Sequence, residues 1–324
     1  MVAFLSDDSI AVAAQPGASG ASFTLSIAKF EWRDGTRRVG AETELPLDAP
    51  TVGELFTAAH GGLLLTKTRP TRFVSGDLKS AIKLPINIPI APMQQANAVA
   101  EYKGKSWTLY KLLPKFQAIR DGSGEILTLS DEFVVFRTDR ELRIETLAGE
   151  LRGHFSIAPQ SKCLTSAKIL SAGRLFLCTC GEFRVVDFSG RQLAKIPAPD
   201  GWGPAYRTSL DGSRLLFDHY TRRISAAQRL SDAIERVITL GYGPIVTEQG
   251  EDIRVVDTLK GKVCFDLDSP NHLLGENTSQ HADISPSGRF AAVVTTTASG
   301  STLSIYGIPA TCAIEGVVQA AIIR

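Results

Sequence analysis

Short turn signals, each followed by an apolar run of β-forming residues, recur along the whole chain. The clearest copies are SPSGRF at 285–290, SLDGSR at 209–214, LSAGRL at 170–175, SDEF at 130–133 and SDDS at 6–9. Ser, Asp and Gly supply the local hydrogen bonds and positive φ angles that a turn between two strands needs. A hairpin that recurs at intervals of about 20 to 50 residues restricts the fold to a solenoid, an array or a propeller.

The spacing of the turns favours the propeller. Taken as the turn between the first and second strands of each unit, the markers fall near 7, 61, 103, 130, 172, 211 and 287. Seven units in 324 residues average about 46 residues each, close to the length of a four-stranded blade. The sequence therefore predicts an all-β fold, a seven-bladed β-propeller that forms one domain over residues 1–324.

A second repeated element lies downstream of the turn signal. Its copies at 141–149, 182–190 and 252–261 each read acid, apolar, Arg, apolar and then a turn that ends in Gly. This pattern predicts a third strand that leads by a hairpin into a fourth. The fourth strands are expected at 151–157, 193–196 and 263–267.

The arginine of each third-strand copy alternates with apolar neighbours. Arg143, Arg184 and Arg254 should therefore lie on the opposite face of their strands from the buried side chains. They could form a ring of guanidinium groups around a channel. We favour a repeated ion pair, either across strands or between blades, with the preceding acid.

Two intervals between markers are irregular. The markers at 103 and 130 lie too close together for four strands, so this blade is expected to be degraded or to share a strand. The markers at 211 and 287 lie too far apart for one blade. Apolar residues in 225–237 occur at helical spacing, and Ser225 could be the N-cap of this helix. This pattern predicts a short helical insertion within 224–250, between strands of the sixth blade. If that stretch forms two strands instead, the propeller has eight blades.

The carboxyl-terminal segment also has strand character. A propeller commonly closes its ring by letting one terminus complete the sheet of the other, which leaves no open edge. We therefore expect 316–323 to pair, in the terminal blade, with sequence from the amino end.

The charge balance argues against two classes of partner. Lys plus Arg number 35 against 34 Asp plus Glu, and no basic block occurs, so nucleic acid and anionic membrane surfaces are not expected partners. No apolar run reaches the roughly 18 residues of a spanning helix. Residues 1–9 show no secretory signal, which favours the cytoplasm, with export left open if a leader has been removed.

The five cysteines lack the paired spacing of a disulfide framework or a zinc ribbon. Cys178 and Cys180 share one face of a strand and are expected to be small core side chains. This set of cysteines favours a reducing compartment.

Together, SPSGRF at 285–290 and the three Arg-containing third strands resemble the divergent WD-repeat-like and YVTN-type propellers of bacteria. The resemblance covers most of the chain and is strongest from 125 to 307. It departs from true WD repeats because no Trp-Asp dipeptide ends a third strand. Members of this group act as binding platforms, as lactonase- or hydrolase-like enzymes and as quinoprotein dehydrogenases, so the resemblance implies the fold and leaves the function open.

The candidate binding residues lie in two loops of the sixth blade. In a propeller, the loops from the fourth to the next first strand and from the second to the third open on the same face. The segments 200–207 and 218–223 should therefore lie side by side, and His272 and His281 should reach the same face. Aromatic and cationic residues of the kind that anchor binding surfaces occur there: Trp202, Tyr206, Arg207, His219, Tyr220, Arg222 and Arg223.

No catalytic motif accompanies these residues. The five histidines are scattered without metal-ligand spacing, and no nucleophile elbow or phosphate-binding loop occurs. No cofactor and no metal are expected. The sequence favours a monomeric, non-enzymatic binding platform for a protein or peptide partner. The alternative is a hydrolase- or lactonase-like propeller enzyme that acts at the mouth of the channel.

Overall fold

The computed structural model describes most of the chain in separate stretches. The described residues are 2–14, 24–33, 36–46, 54–58, 62–66, 71–75, 79, 81–85, 96–103, 105–138, 141–156, 164–170, 173–179, 182–196, 206–222, 249–268, 279–297, 300–312 and 318–323. Among these residues the regular structure is entirely β.

The described strands form seven antiparallel sheets, which we number as blades 1 to 7 in chain order. Blade 1 contains β1 (Val2–Ser6), β2 (Ser9–Ala14), β3 (Thr24–Arg33) and β4 (Thr36–Pro46). Blade 2 contains β5 (Glu54–Thr57), β6 (Leu63–Thr66), β7 (Arg72–Val74) and β8 (Ala81–Lys83). Blade 3 contains β9 (Ala98–Lys103), β10 (Ser106–Lys111) and β11 (Gln117–Ser123).

The remaining four blades have four strands each. Blade 4 contains β12 (Glu125–Leu129), β13 (Phe133–Arg137), β14 (Glu141–Thr146) and β15 (Leu151–Ser156). Blade 5 contains β16 (Leu164–Leu170), β17 (Arg174–Thr179), β18 (Glu182–Asp187) and β19 (Gln192–Ile196). Blade 6 contains β20 (Tyr206–Thr208), β21 (Arg214–Arg222), β22 (Gln249–Asp257) and β23 (Lys262–Asp268). Blade 7 contains β24 (Ser279–Ile284), β25 (Phe290–Thr297), β26 (Gly300–Gly307) and β27 (Val318–Ile323).

The apolar core is divided into seven clusters, each between two consecutive blades. Ala3 of blade 1 packs with Leu55 of blade 2, for example, and the pattern continues around the molecule. The seventh cluster joins Phe4 of blade 1 to Ala292 of blade 7. Because the last interface returns to the first blade, the sheets form a closed ring, and the fold is the predicted seven-bladed β-propeller.

The inner strands of each blade are buried on both faces, which explains their continuous apolar runs. In β21, Leu215 and Phe217 pack toward blade 5, whereas Leu216 between them packs toward blade 7. A strand with one solvated face would alternate apolar and polar residues instead.

The serine of the turn signal closes the turn between the first and second strands. The Ser209 and Ser285 hydroxyl groups accept hydrogen bonds from the N–H groups of Arg214 (3.0 Å) and Phe290 (3.1 Å), five residues further on. The glycine is needed for its backbone angle, since Gly288 has a φ of +70°. Any Cβ there would also lie 2.5 Å from Cγ of Arg214, so this turn packs closely on blade 6.

Polar contacts also join the last blade to the first. The Arg289 guanidinium lies 2.7 Å from a carboxylate oxygen of Asp7, and the other oxygen of Asp7 accepts a hydrogen bond from the Ser287 N–H (3.1 Å). Deeper in the same interface, buried Asp283 accepts a hydrogen bond from the Phe4 N–H (2.7 Å). These contacts stabilise the interface that closes the ring.

The predicted pairing of the two chain ends is wrong. The carboxyl-terminal strand β27 pairs antiparallel with β26, and β1 pairs with β2 in a separate sheet. The two ends therefore meet through side chains and turns between blades 7 and 1, and each blade is completed by its own consecutive strands. Local hairpins of this kind need no long-range strand exchange.

One of the seven turn markers belongs to a different turn. The Asn97 N–H, just before β9, donates to Asp131, which lies in the turn between the first two strands of blade 4. Near the other end of β9, the Tyr102 hydroxyl group donates a hydrogen bond to the carbonyl of Ile126, close to the start of β12. The strand β9 therefore runs antiparallel to the first strand of blade 4, in the direction of a second strand.

The marker near 103 is thus a turn between a second and a third strand. The equivalent of the other six markers lies near Asn97, which restores an even spacing between blades 2, 3 and 4. The three described strands of blade 3 correspond to second, third and fourth strands, and residues 86–95 before them lie outside the described part. The described part of blade 3 has one strand fewer than the other blades, so whether this blade is degraded stays a prediction.

The repeated arginines of the third strands do form ion pairs, with partners that differ between blades. Arg184 pairs with the preceding Glu182, as predicted. Arg143 pairs with the following Glu145 at 3.3 Å, and Arg254 pairs across strands with Asp266 at 2.5 Å. The helical insertion and the eight-blade alternative fall on 223–248, outside the described residues.

Candidate functional site

Two strands of blade 6 continue past Tyr206, the first described residue of its first strand. In the register of the sheet, Tyr206 at the start of β20 lies opposite Phe217 of β21. From there β21 continues to Arg222, and its last five residues remain paired with β22, ending with Arg222 opposite Gln249. We call this paired extension, residues 218–222 with 249–253, the blade 6 arm. The segment 223–248 joins its two strands.

The predicted binding residues divide into two groups. His219, Tyr220 and Arg222 hold positions in the blade 6 arm, whereas Tyr206 and Arg207 belong to β20. Because Arg207 lies opposite Leu216, the backbone of Arg222 is six strand residues further on, about 20 Å away. In this register Arg207 and Arg222 are held apart, whereas Tyr206, opposite Phe217, lies only two strand positions from His219. Trp202 and Arg223 lie outside the described residues, so the convergence of the whole set stays a prediction.

Arg207 is part of the inner wall of the ring. Its Nε lies 4.0 Å from Oδ1 of Asp283 in blade 7, the buried carboxylate that also accepts the Phe4 N–H of blade 1. His281 is exposed two residues earlier on the same strand as Asp283, and His272 lies outside the described residues. The sequence reasoning placed Arg207 in an open loop and missed Asp283, the one acid in the first strand of blade 7.

A second polar cluster lies between blades 6 and 7, near the turns. Its centre is Arg214, whose Nη1 lies 2.7 Å from Oδ2 of Asp257. The same nitrogen lies 3.1 Å from Sγ of Cys264 and 2.8 Å from Sγ of Cys312, and Nη2 donates to the Ala310 carbonyl at 3.1 Å. We call these residues the Arg214 cluster.

Cys264 and Cys312 of this cluster form a disulfide. The expectation from sequence that the cysteines form no disulfide is therefore wrong. The two residues are 48 positions apart and belong to different blades, a distance over which sequence spacing gives no signal. Cys178 is a buried core side chain, as predicted, and Cys163 and Cys180 lie outside the described residues.

Hydrogen bonds keep the Asp257 carboxyl ionised. Burial raises its pKa, but the backbone N–H groups of Lys260 and Leu259, together with the Arg214 guanidinium, outweigh burial and hold the pKa below its usual range. The two N–H groups donate to Oδ1 at 2.9 Å each, and Arg214 contacts Oδ2. Asp257 therefore joins the turn of blade 6 to the disulfide.

The lowered pKa predicts a loss of stability in acid. A carboxyl group whose pKa is depressed by folding stabilises the native state above its unfolded pKa of about 3.9, and this contribution is lost as pH falls through the folded pKa. We expect the free energy of unfolding to fall below about pH 4. Urea titrations across this range should show a shallower fall for Asp257→Asn than for the wild type, and an equal fall would contradict the assignment.

Two other kinds of site are absent from the described residues. Within them, no three side chains of His, Cys, Asp or Glu are grouped closely enough to hold a metal ion. The same residues contain no helix of the length and apolarity needed to cross a bilayer.

Comparison with solved structures agrees with the fold. The chain is similar to KlHsv2 with loop 6CD replaced by a Gly-Ser linker (TM-score 0.55, 11% identity, 95% of this chain and 91% of that one). It is similar to Hsv2p of Kluyveromyces lactis (TM-score 0.51, 12% identity, 96% and 93%). It also resembles PorZ of Porphyromonas gingivalis (TM-score 0.53, 10% identity), covering 98% of this chain and 37% of PorZ.

No protein-family model and no curated protein matches the sequence. At 10 to 12% identity the structural likeness concerns the fold alone. The chain is a β-propeller, and its function has to be argued from its own surface.

Proposed function

We propose that this propeller is a non-enzymatic binding platform and that a protein or peptide partner docks on the blade 6 arm. The observation that carries the proposal is the continuous pairing of the arm. The strands β21 and β22 stay paired in one register from Arg214 opposite Asp257 to Arg222 opposite Gln249.

The composition of the arm supports this function. His219, Tyr220 and Arg222 lie in the extended part of β21, and Tyr and Arg are the residue types most enriched at binding hot spots. A paired strand holds its backbone in one geometry, so less conformational entropy is lost when a partner binds.

The test has two stages. Immobilised wild-type protein first captures partners from a lysate, and each candidate is then purified and titrated against the wild type. We expect the triple variant His219→Ala, Tyr220→Ala, Arg222→Ala to raise the Kd at least about tenfold, equivalent to about 1.4 kcal/mol. The reason is that truncation removes the aromatic and cationic anchors.

The matched control lies in two turns of the same blade. Leu210→Ser and Leu259→Ser replace side chains that are 47% and 61% exposed and lie in turns, away from the arm. This variant should bind like the wild type. A partner that binds the triple variant at full strength, or that loses as much affinity with the control, would show that the arm is not the docking site.

A further inference from the structure

The Arg214 cluster has features of a reactive disulfide in addition to those of a structural one. Arg214 donates to both sulfur atoms from a single nitrogen, and its side chain is only 12% exposed. A guanidinium beside sulfur stabilises a thiolate, the form in which a cysteine leaves a disulfide or attacks one. The positive charge that would stabilise a departing thiolate is therefore already beside the disulfide.

The two sulfur atoms differ in access. Cys264 is buried at 4% exposure on the fourth strand of blade 6, whereas Cys312 is partly exposed, in the segment that follows β26 of blade 7. An incoming thiolate would therefore reach Cys312 first, and Cys264 would be the leaving group. Arg214 lies 3.1 Å from the sulfur that would take up the negative charge.

We propose that Cys264 and Cys312 form a reversible thiol–disulfide exchange site for a small thiol of the glutathione class. In the first step a glutathione thiolate attacks Sγ of Cys312, the bond between the two protein sulfurs breaks, and Cys264 leaves as a thiolate beside Arg214. In the second step another glutathione thiolate attacks the glutathione sulfur of the mixed disulfide. Cys312 leaves as a thiolate, and oxidised glutathione is released. The two electrons that reduce the protein come from the two glutathione molecules.

Exchange at this site has a defined structural consequence. The disulfide and the hydrogen bond from Arg214 to the Ala310 carbonyl both tie the segment 308–312 of blade 7 to blade 6. Reduction removes the covalent tie and leaves the hydrogen bond. The redox state of the two cysteines therefore determines whether this segment is bound to blade 6 by a covalent bond and a hydrogen bond or by the hydrogen bond alone.

Three substitutions in the full chain test the role of Arg214. Reduction by glutathione is followed by mass shift after alkylation of free thiols, at pH 7 without denaturant. Arg214→Gln should slow reduction about three- to tenfold, because the leaving thiolate loses its cation. Asp257→Asn should speed it, because Arg214 loses its competing carboxylate, and Arg214→Lys, which keeps the charge, should stay close to the wild type.

The two variants are expected to change the rate of reduction in opposite directions, and this distinguishes the proposed chemistry from unfolding. Both Arg214→Gln and Asp257→Asn break the same ion pair, so a disulfide exposed by unfolding would be reduced faster in both variants. Faster reduction of Arg214→Gln than of the wild type would overturn the proposal. A wild-type disulfide that stays intact in reduced glutathione would overturn it as well.

Discussion

Asp257→Ala is expected to lower the free energy of unfolding by about 3 to 5 kcal/mol, the range for breaking a buried ion pair by removal of one partner. The side chains of Arg214 and Asp257 are only 12% and 10% exposed, so solvent screens their 2.7 Å contact weakly. Removing the carboxylate leaves the Arg214 charge buried and the N–H groups of Leu259 and Lys260 without their acceptor. Chemical denaturation monitored by fluorescence at pH 7 measures the loss.

Blade 5 supplies the matched control. Asp187 holds the equivalent position at the end of the third strand, and its carboxylate accepts the N–H groups of Ser189 and Arg191 (3.0 Å each) in the same kind of turn. Its cationic partner, Arg191, is 77% exposed. Asp187→Ala should therefore cost much less than Asp257→Ala, mainly through the lost hydrogen bonds of the turn. Equal losses in the two variants would show that the buried ion pair contributes nothing beyond the turn.

Local signals made the repeat predictable from sequence. The hydroxyl groups of Ser209 and Ser285 accept a backbone N–H five residues further on, so these serines mark their turns without any long-range information. The predicted third strands 182–190 and 252–261 contain β18 and the end of β22 for the same reason, because each turn that follows requires a glycine with positive φ. Hydrogen bonds and backbone angles that lie within one hairpin depend on local sequence, so they can be predicted from it.

Contacts between blades could not be predicted in this way. The turn near residue 103 resembles the other markers, and only the bond from Asn97 to Asp131 in the next blade shows that the strand runs in the opposite sense. The candidate site shows the same limit: 218–223 was predicted to be a loop, but pairing with β22 extends β21 to Arg222, far along the strand from the position opposite Arg207. Strand length and direction are set here by the partner strand and the neighbouring blade.

Removal of the disulfide by Cys264→Ala with Cys312→Ala is expected to lower the free energy of unfolding by about 4 kcal/mol. In the chain-entropy account, a cross-link between residues 48 positions apart restricts the unfolded chain by about this amount. The expected fall in Tm is roughly 6 °C, measured by differential scanning calorimetry.

Two comparisons make this result specific to the cross-link. Cys178→Ala removes a buried sulfur that is not bonded to another, so it should cost about 1 kcal/mol for lost packing. Reduced wild-type protein with its thiols alkylated should melt at least as low as the double variant, because it lacks the same cross-link. If the double variant melts no lower than Cys178→Ala, the bond between blades 6 and 7 adds no stability, and the ring is held by its seven apolar interfaces and their polar contacts alone.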